Sequence, residues 1–275
     1  MGKLDVVQSD NKVPEEQKVD PFSRQEVQAR FERLWLDDPE QFNPQRNCME
    51  RERIQRTRDL ILAYVNPQGK KTGDLGCGYG ALSLLLQKMG ASVESIDIAA
   101  NALKRLEGKG LELKQDFLPK TLVEDSYYDL VICTDVIGDV APKVYRHFFA
   151  ELARVVKDEG YVVCSTALDI DTDDALQRFA ELAETELIVT DWSLSYHALY
   201  IRLKRFCRYL PLKGLHSWLD QSKKVLLFLE KITRLFWSET GMSHAIFIAK
   251  RKPLIPDTPI EFQPTERKHK KQVWE

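Results

Sequence analysis

Cysteine is sparse and scattered: Cys48, Cys77, Cys133, Cys164 and Cys207 form an odd set with no CxxC pair, which excludes a disulfide framework and a cysteine zinc site. A reducing compartment fits that usage. Long apolar runs are also missing, since nothing approaches the roughly 20 residues of a membrane span. The opening residues lack the basic start and apolar core of a secretory signal, and Val6 stands where a myristoylation signal after Gly2 needs Ser or Thr. The expectation is a soluble, cytoplasmic protein. Charge of one sign is lacking too: 40 basic against 42 acidic residues leave a net charge of -2. No global field exists to grip a polyphosphate, so no nucleic-acid partner is expected without a local patch.

What remains is ordinary globular material, with 43% hydrophobic, 30% charged and 9% aromatic residues in 275, enough to bury one large core. Only the two polar ends, 1–21 and 252–275, read as flexible segments. Ser23 and Glu26 stand at capping-box spacing, and Val27, Phe31, Leu34 and Trp35 follow on one helical stripe. A link with two prolines, Asp37 to Pro44, leads to an arginine-rich helix from about Cys48 to Val65. From about Lys70 the pattern changes. Strands are expected near 70–75, 91–97, 110–115, 128–134 and 160–166, with helices between them. Leu82, Leu85, Leu86 and Met89 mark the apolar side of one helix; Tyr145, Phe148, Phe149, Leu152, Ala153 and Val156 mark another. A helix at 171–184, a strand at 187–192, a mostly helical stretch and the alternating HAIFIAK of 244–250 complete the chain. Strand and helix in alternation predict an α/β fold, a Rossmann-like doubly wound parallel sheet.

The sharpest motif is Asp74-Leu75-Gly76-Cys77-Gly78-Tyr79-Gly80, where the first strand hands over to a helix. Glycines there let the backbone turn tightly and let a ligand approach closely. Gly76-x-Gly78-x-x-Ala81 also satisfies the dinucleotide fingerprint, so an NAD(P)-dependent reductase stays open on spacing alone. Three features favour another ligand: an acid two positions before a GxGxG repeat, two helices ahead of the loop, and Asp116-Phe117 after the third strand. An acidic loop suits a ligand carrying an ammonium and a sulfonium better than a pyrophosphate.

With these residues the chain, from about Lys70 to Ser165, resembles the class I S-adenosylmethionine-dependent methyltransferases. The resemblance implies a seven-stranded sheet whose last strand is antiparallel. It also implies that Asp74, Leu75, Gly76, Cys77, Gly78 and Gly80 wrap the methionine part of S-adenosyl-L-methionine. Asp97, followed by Ile98, would accept both ribose hydroxyls, a natural task for a carboxylate. Asp116 would lie near the adenine amino group with Phe117 beside the ring, and Thr134, Asp135 and Val136 would border the cofactor at the end of the fourth strand. Val155 to Tyr161 is similar to the family's turn into its fifth strand. Departures follow: Thr72 and Gly73 weaken the first strand, and Val136-Ile137-Gly138-Asp139 replaces the histidine-bearing segment of many members. The Asn/Asp-Pro-Pro-Tyr/Phe box of base and glutamine amino-methyltransferases is absent.

The resemblance implies methyl transfer to an oxygen or nitrogen of a small-molecule acceptor. A base is needed only for an acceptor that must lose a proton, and Asp139 and His197 are the candidates; no metal site is expected. Residues 22–66 are expected to cap the cofactor site, with Trp35, Arg46, Arg51 and Arg53 closing it around an acidic acceptor, and 67–251 to form the methyltransferase domain. Its helical cap, about 194–240, carries between 200 and 240 nine basic against three acidic residues, interleaved with aromatics. Val225, Phe228, Leu229, Ile232, Leu235 and Phe236 are expected to pack on the domain. The same stretch could serve as a substrate lid or as peripheral membrane contact. Three readings therefore stand beside the first: a membrane-surface enzyme of a lipophilic quinone or lipid precursor, the reductase, and a cofactor-binding protein without catalysis.

Overall fold

The computed structural model describes residues 23–253 except 208, 210–213 and 239, and not the side chain of 216. Of the expected flexible ends, 1–21 and 254–275 lie outside the described residues, while Lys252 is held by Glu186 and Thr185. Ser23 caps α1 (Arg24–Asp37), its hydroxyl accepting the Glu26 N–H. The proline link forms two 3-10 turns, Pro39–Phe42 and Pro44–Arg46, and Asn47 then caps α2 (Cys48–Tyr64).

The alternating region folds as β1 (Lys71–Leu75), α3 (Ala81–Lys88), β2 (Ser92–Asp97), α4 (Ala100–Lys104), β3 (Glu112–Gln115), β4 (Tyr128–Thr134), α5 (Tyr145–Val155) and β5 (Val156–Ala167). Then come α6 (Ala175–Ala183), β6 (Leu187–Ser195), the helices α7 (Ala198–Cys207), α8 (Leu215–Gln221) and α9 (Lys223–Phe236), and β7 (His244–Arg251). One seven-stranded sheet results, in the order β3-β2-β1-β4-β5-β7-β6, with β7 antiparallel to both neighbours. This is the doubly wound fold expected, and its strand order reverses between β1 and β4, where such sheets leave a crevice.

Side chains alternate across the central strands into two apolar layers. Val131, Cys133, Val162, Cys164 and Phe247 meet Phe148, Phe149 and Leu152 of α5 and Phe179 of α6. Leu130, Ile132, Val163, Ile246 and Ile248 meet Leu60 and Ile61 of α2 and Leu82 and Leu86 of α3. Gly73, expected to weaken β1, instead makes room: a Cβ there would lie 2.6 Å from the Tyr128 ring. That ring is fully buried, and its hydroxyl donates to Glu94 at 2.6 Å.

Two expectations need correction. Val155 to Tyr161, read as a turn, is the end of α5 and a bulged start to β5, where the pairing with β4 shifts between Tyr128 and Leu130. On α9 the inward stripe is Leu226, Glu230 and Thr233, whereas Phe228, Leu235 and Phe236 of the expected packing face are exposed. Glu230 lies inward, paired with Arg56 of α2. No helix among the described residues is long and apolar enough to cross a membrane.

Candidate active site

A cavity of about 460 Å³ lies at the carboxyl ends of β1, β2 and β4, beneath α1, the two 3-10 turns and α2. Its floor is the loop after β1. Gly76 has φ +81°, and a Cβ there would come within 2.3 Å of Val136, so only glycine lets this backbone pass the end of β4. Asp74, Leu75, Gly76, Cys77 and Gly78 line the cavity, as do Asp97, Ile98, Asp116, Phe117, Thr134, Asp135, Val136 and Asp139. Gly80 is a correction: it opens α3 at φ +72° with Leu106 against it and does not line the cavity.

Three carboxylates hold the cavity wall. Asp97 accepts the Gly78 N–H on Oδ2 and the Ala99 N–H on Oδ1, each at 2.9 Å. Burial raises its pKa against those bonds. The capping role and a ligand role are thus compatible, since each oxygen keeps a second lone pair. Asp74 is nearly fully buried; the Ser83 hydroxyl donates to it at 2.6 Å and the Ser95 hydroxyl donates to Ser83 at 2.9 Å. Burial lifts the Asp74 pKa to about 6, with the Ser83 bond opposing and Asp97 adding to the rise. Asp116 accepts the Phe117 and Leu122 N–H groups at 2.8 and 2.7 Å. Cys77 faces the same space, and its thiol is pushed well up by burial and then by Asp97 and Asp74, which makes it a wall and not a nucleophile.

The roof is aromatic. Trp35 stacks on Phe42 at 4.5 Å between ring centroids and leans on Tyr79, with Val27 and Phe31 beside it. Glu32 accepts the Ala100 and Asn101 N–H groups at 2.6 and 3.0 Å, which pins α1 to the start of α4. Arg46 and Arg53 line the cavity, each already paired, the first with Glu40 and the second with Glu50 and Asp135. Arg51 points elsewhere, to Gln45 and Gln221, which corrects its expected place at the site. The cap helices contribute no lining residue either; the segments over the cavity are the N-terminal ones.

At the end of β4, Asp135 adopts φ +58°, a left-handed conformation that aspartate tolerates better than most residues. Its Oδ1 meets His244 Nε2 at 2.6 Å and accepts the Ser165 hydroxyl at 3.3 Å, while its Oδ2 pairs with Arg53. Burial pushes the Asp135 pKa up, but the His244 bond and charge with Arg53 hold it down at about 2. His244 was legible only as the opening of the last strand. The register that sets it opposite Ala167 comes from β7 running antiparallel to β5, which no local pattern reveals.

Of the two candidate bases, Asp139 stands at the cavity with Arg30 at 2.8 Å; burial raises its pKa although Arg30 opposes. His197 is a correction. It lies outside the cavity lining, buried, with Nε2 unpartnered 3.8 Å from Glu52, and burial followed by the Arg56 and His244 charges lowers its pKa to about 3. Glu52, His197 and Glu230 converge closely enough to suggest a metal. Arg56, however, pairs with both carboxylates, so the guanidinium already supplies the countercharge there.

The chain's likeness to known proteins agrees with this geometry. Residues 49–222, more than half of the chain, match the model of a methyltransferase domain family. Ubiquinone biosynthesis O-methyltransferase of Glaesserella parasuis serovar 5 is 30% identical over 164 residues, 53% of this chain and 64% of the relative. The chloroplastic magnesium protoporphyrin IX methyltransferase of Arabidopsis thaliana is 36% identical over 115 residues, 40% of this chain and 36% of the relative. Each match therefore takes in less than two thirds of the relative's length. Among solved structures, the [4+2]-cyclase SpnF shares the fold with a TM-score of 0.58 at 14% identity, over 84% of this chain and 97% of that one. Sheet order, glycine loop and domain match converge: the chain belongs to the class I S-adenosylmethionine-dependent methyltransferases.

Proposed function

We propose that this protein transfers the methyl group of S-adenosylmethionine to an oxygen or nitrogen of a small-molecule acceptor. The observation that carries the reading is Asp97: a carboxylate on the cavity wall, locked by two backbone N–H groups, with free lone pairs for the two ribose hydroxyls. The other wall residues fit the same ligand. The loop Asp74 to Gly78 would hold the amino-acid part, and Asp116 with Phe117 the adenine. A pyrophosphate would instead face Asp74 and Asp97, which disfavours the reductase reading.

When bound, the cofactor supplies a methyl group already activated by the sulfonium charge. The chain's own residues then have to orient the acceptor and exclude water, because alignment of the attacking atom lowers the barrier most. Trp35, Phe31 and Phe42 form an apolar roof suited to that purpose. Arg53, paired with Glu50 and Asp135, presents a guanidinium at the cavity wall. Asp139, which lines the cavity and is lifted by burial, would take a proton from an acceptor that must lose one.

The test is calorimetry with S-adenosylhomocysteine against NADH, followed by turnover of labelled donor with fractionated metabolite extract. Binding of the homocysteine nucleoside and a loss of about tenfold to a hundredfold in Asp97→Ala are expected, from two charge-assisted hydrogen bonds. No heat with that nucleoside, or tight NADH binding, overturns the reading.

A second reading names a lipophilic quinone or lipid precursor met at a membrane surface. It is favoured by the exposed apolar side chains of α7 to α9, and the ubiquinone-pathway name of the relatives supports it. A lipid-extract fraction that gains label where the aqueous fraction does not would separate it from the first.

A further inference from the structure

α9 has two unlike faces. Leu226, Glu230 and Thr233 are buried against the domain. On the opposite side Lys224, Phe228, Lys231 and Leu235 follow one another at steps of four, three and four residues, along one line of the helix. Phe228 is 62% and Leu235 75% exposed, and Phe236 beyond them 67%. α7 and α8, which pack on α9, add Phe206 and Trp218, also more than half exposed. Single exposed apolar residues need no explanation, but so many on one small helical cap do.

The acids of α8 and α9 face inward, while on α7 the exposed Arg202 and Arg205 pair with the exposed Asp171. Asp220 and Glu230 are turned inward, paired with Lys204 and with Arg56. Lys224 and Lys231 are exposed and have no ion-pair partner among the described residues. Outward, then, α9 shows lysine and large apolar side chains in alternation and no acid. That pattern lets apolar groups enter a headgroup layer while lysines reach its phosphates.

We infer that the outer surface of the α7–α9 cap docks on an anionic lipid membrane. The occupant is argued from charge. In a two-fold pairing of the outer side of α9, which bears no acid, Lys224 and Lys231 of each copy would meet a surface without countercharge, whereas an anionic headgroup layer answers both. The inference deepens the lipophilic-acceptor reading and takes its purpose from it. The buried Arg56–Glu230 pair fixes the polar residue inside while the apolar stripe stands outside. Through that pair the docked cap is fixed to α2, whose Arg53 and Ile54 line the cavity.

The experiment is sedimentation of the purified full chain with extruded vesicles of phosphatidylcholine alone or with about one third phosphatidylglycerol. Binding is expected to the anionic vesicles only, and to weaken as salt screens the charges. Two variants, Phe228→Ser with Leu235→Ser, and Lys224→Glu with Lys231→Glu, should each lower vesicle partitioning at least about tenfold. Because all four side chains are exposed, melting temperature and the heat of S-adenosylhomocysteine binding should not change. The variants leave the lysines of the tail intact, so binding that survives them overturns the inference. It is equally overturned if the wild type stays in the supernatant with anionic vesicles, or if it is a dimer in sedimentation velocity that the same variants dissociate. Vesicle binding without any nucleoside heat would leave docking standing and remove the methyltransferase reading.

Discussion

α2 carries the same chemical arrangement twice, at neighbouring positions about one helical turn apart. Toward the cavity, Arg53 sits between Glu50 and Asp135, with His244 behind Asp135. Toward the cap, three residues on, Arg56 sits between Glu52 and Glu230, with His197 beside Glu52. The difference is water. Glu50 and Asp135 are about one third exposed, whereas Glu52 and Glu230 are nearly sealed. An ion cluster open to a cavity can exchange partners with a ligand, while a sealed one serves to hold two elements together and is costly to break.

The largest expected effect tests that contrast directly. Arg56→Met should lower unfolding free energy by about 3–5 kcal/mol, since it strands two buried carboxylates, while leaving nucleoside affinity nearly unchanged in calorimetry at low temperature. Arg53→Met should cost only about 1 kcal/mol, because its partners reach water, yet reduce turnover about tenfold or more. Equal destabilisation in denaturant titrations of the two would erase the distinction.

Next in size is Asp74. The folded carboxyl has its pKa at about 6 against an ordinary 3.8, so between those values the folded chain binds more protons and stability rises as pH falls. Asp74→Asn should remove that penalty and raise ligand-free stability at pH 7 by about 2–3 kcal/mol, read in thermal or chemical unfolding. If stability instead falls, the Ser83 and Ser95 chain is outweighing desolvation.

The sealed side has the opposite slope. Burial keeps the His197 ring neutral down to about pH 3, whereas its ordinary value is 6.5. The unfolded chain therefore binds more protons in that window, and stability falls as pH drops through it. His197→Gln should flatten the pH dependence by at most about 1.4 kcal/mol per pH unit between 4 and 6. A slope unchanged by the substitution would show the imidazole charged in the folded state.

Much of the scaffold was legible because its cause is local. The nearly continuous apolar runs in 128–134 and 244–250 reflect strands buried on both faces, and Asp74 to Gly80 marks a turn that only glycine can make at Gly76. Asp97 and Asp116 were readable from their places after strands. What escaped depends on distant partners. His244 reaches Asp135 across 109 residues of sequence, and Glu230 reaches Arg56 across 174. The α9 stripe misled for the same reason: helical spacing shows that an apolar face exists, not which way it points in the fold.

β7 enters the sheet between β5 and β6, so β6 has no strand partner until the segment from His244 arrives. During synthesis the nascent chain must wait with that edge open, because Phe247, the ring around which Phe149, Phe179 and Trp192 gather, leaves the ribosome only after β5 and β6. Completion of this half of the molecule is timed by the final strand, and a fragment halted before it would be a ready client for chaperones.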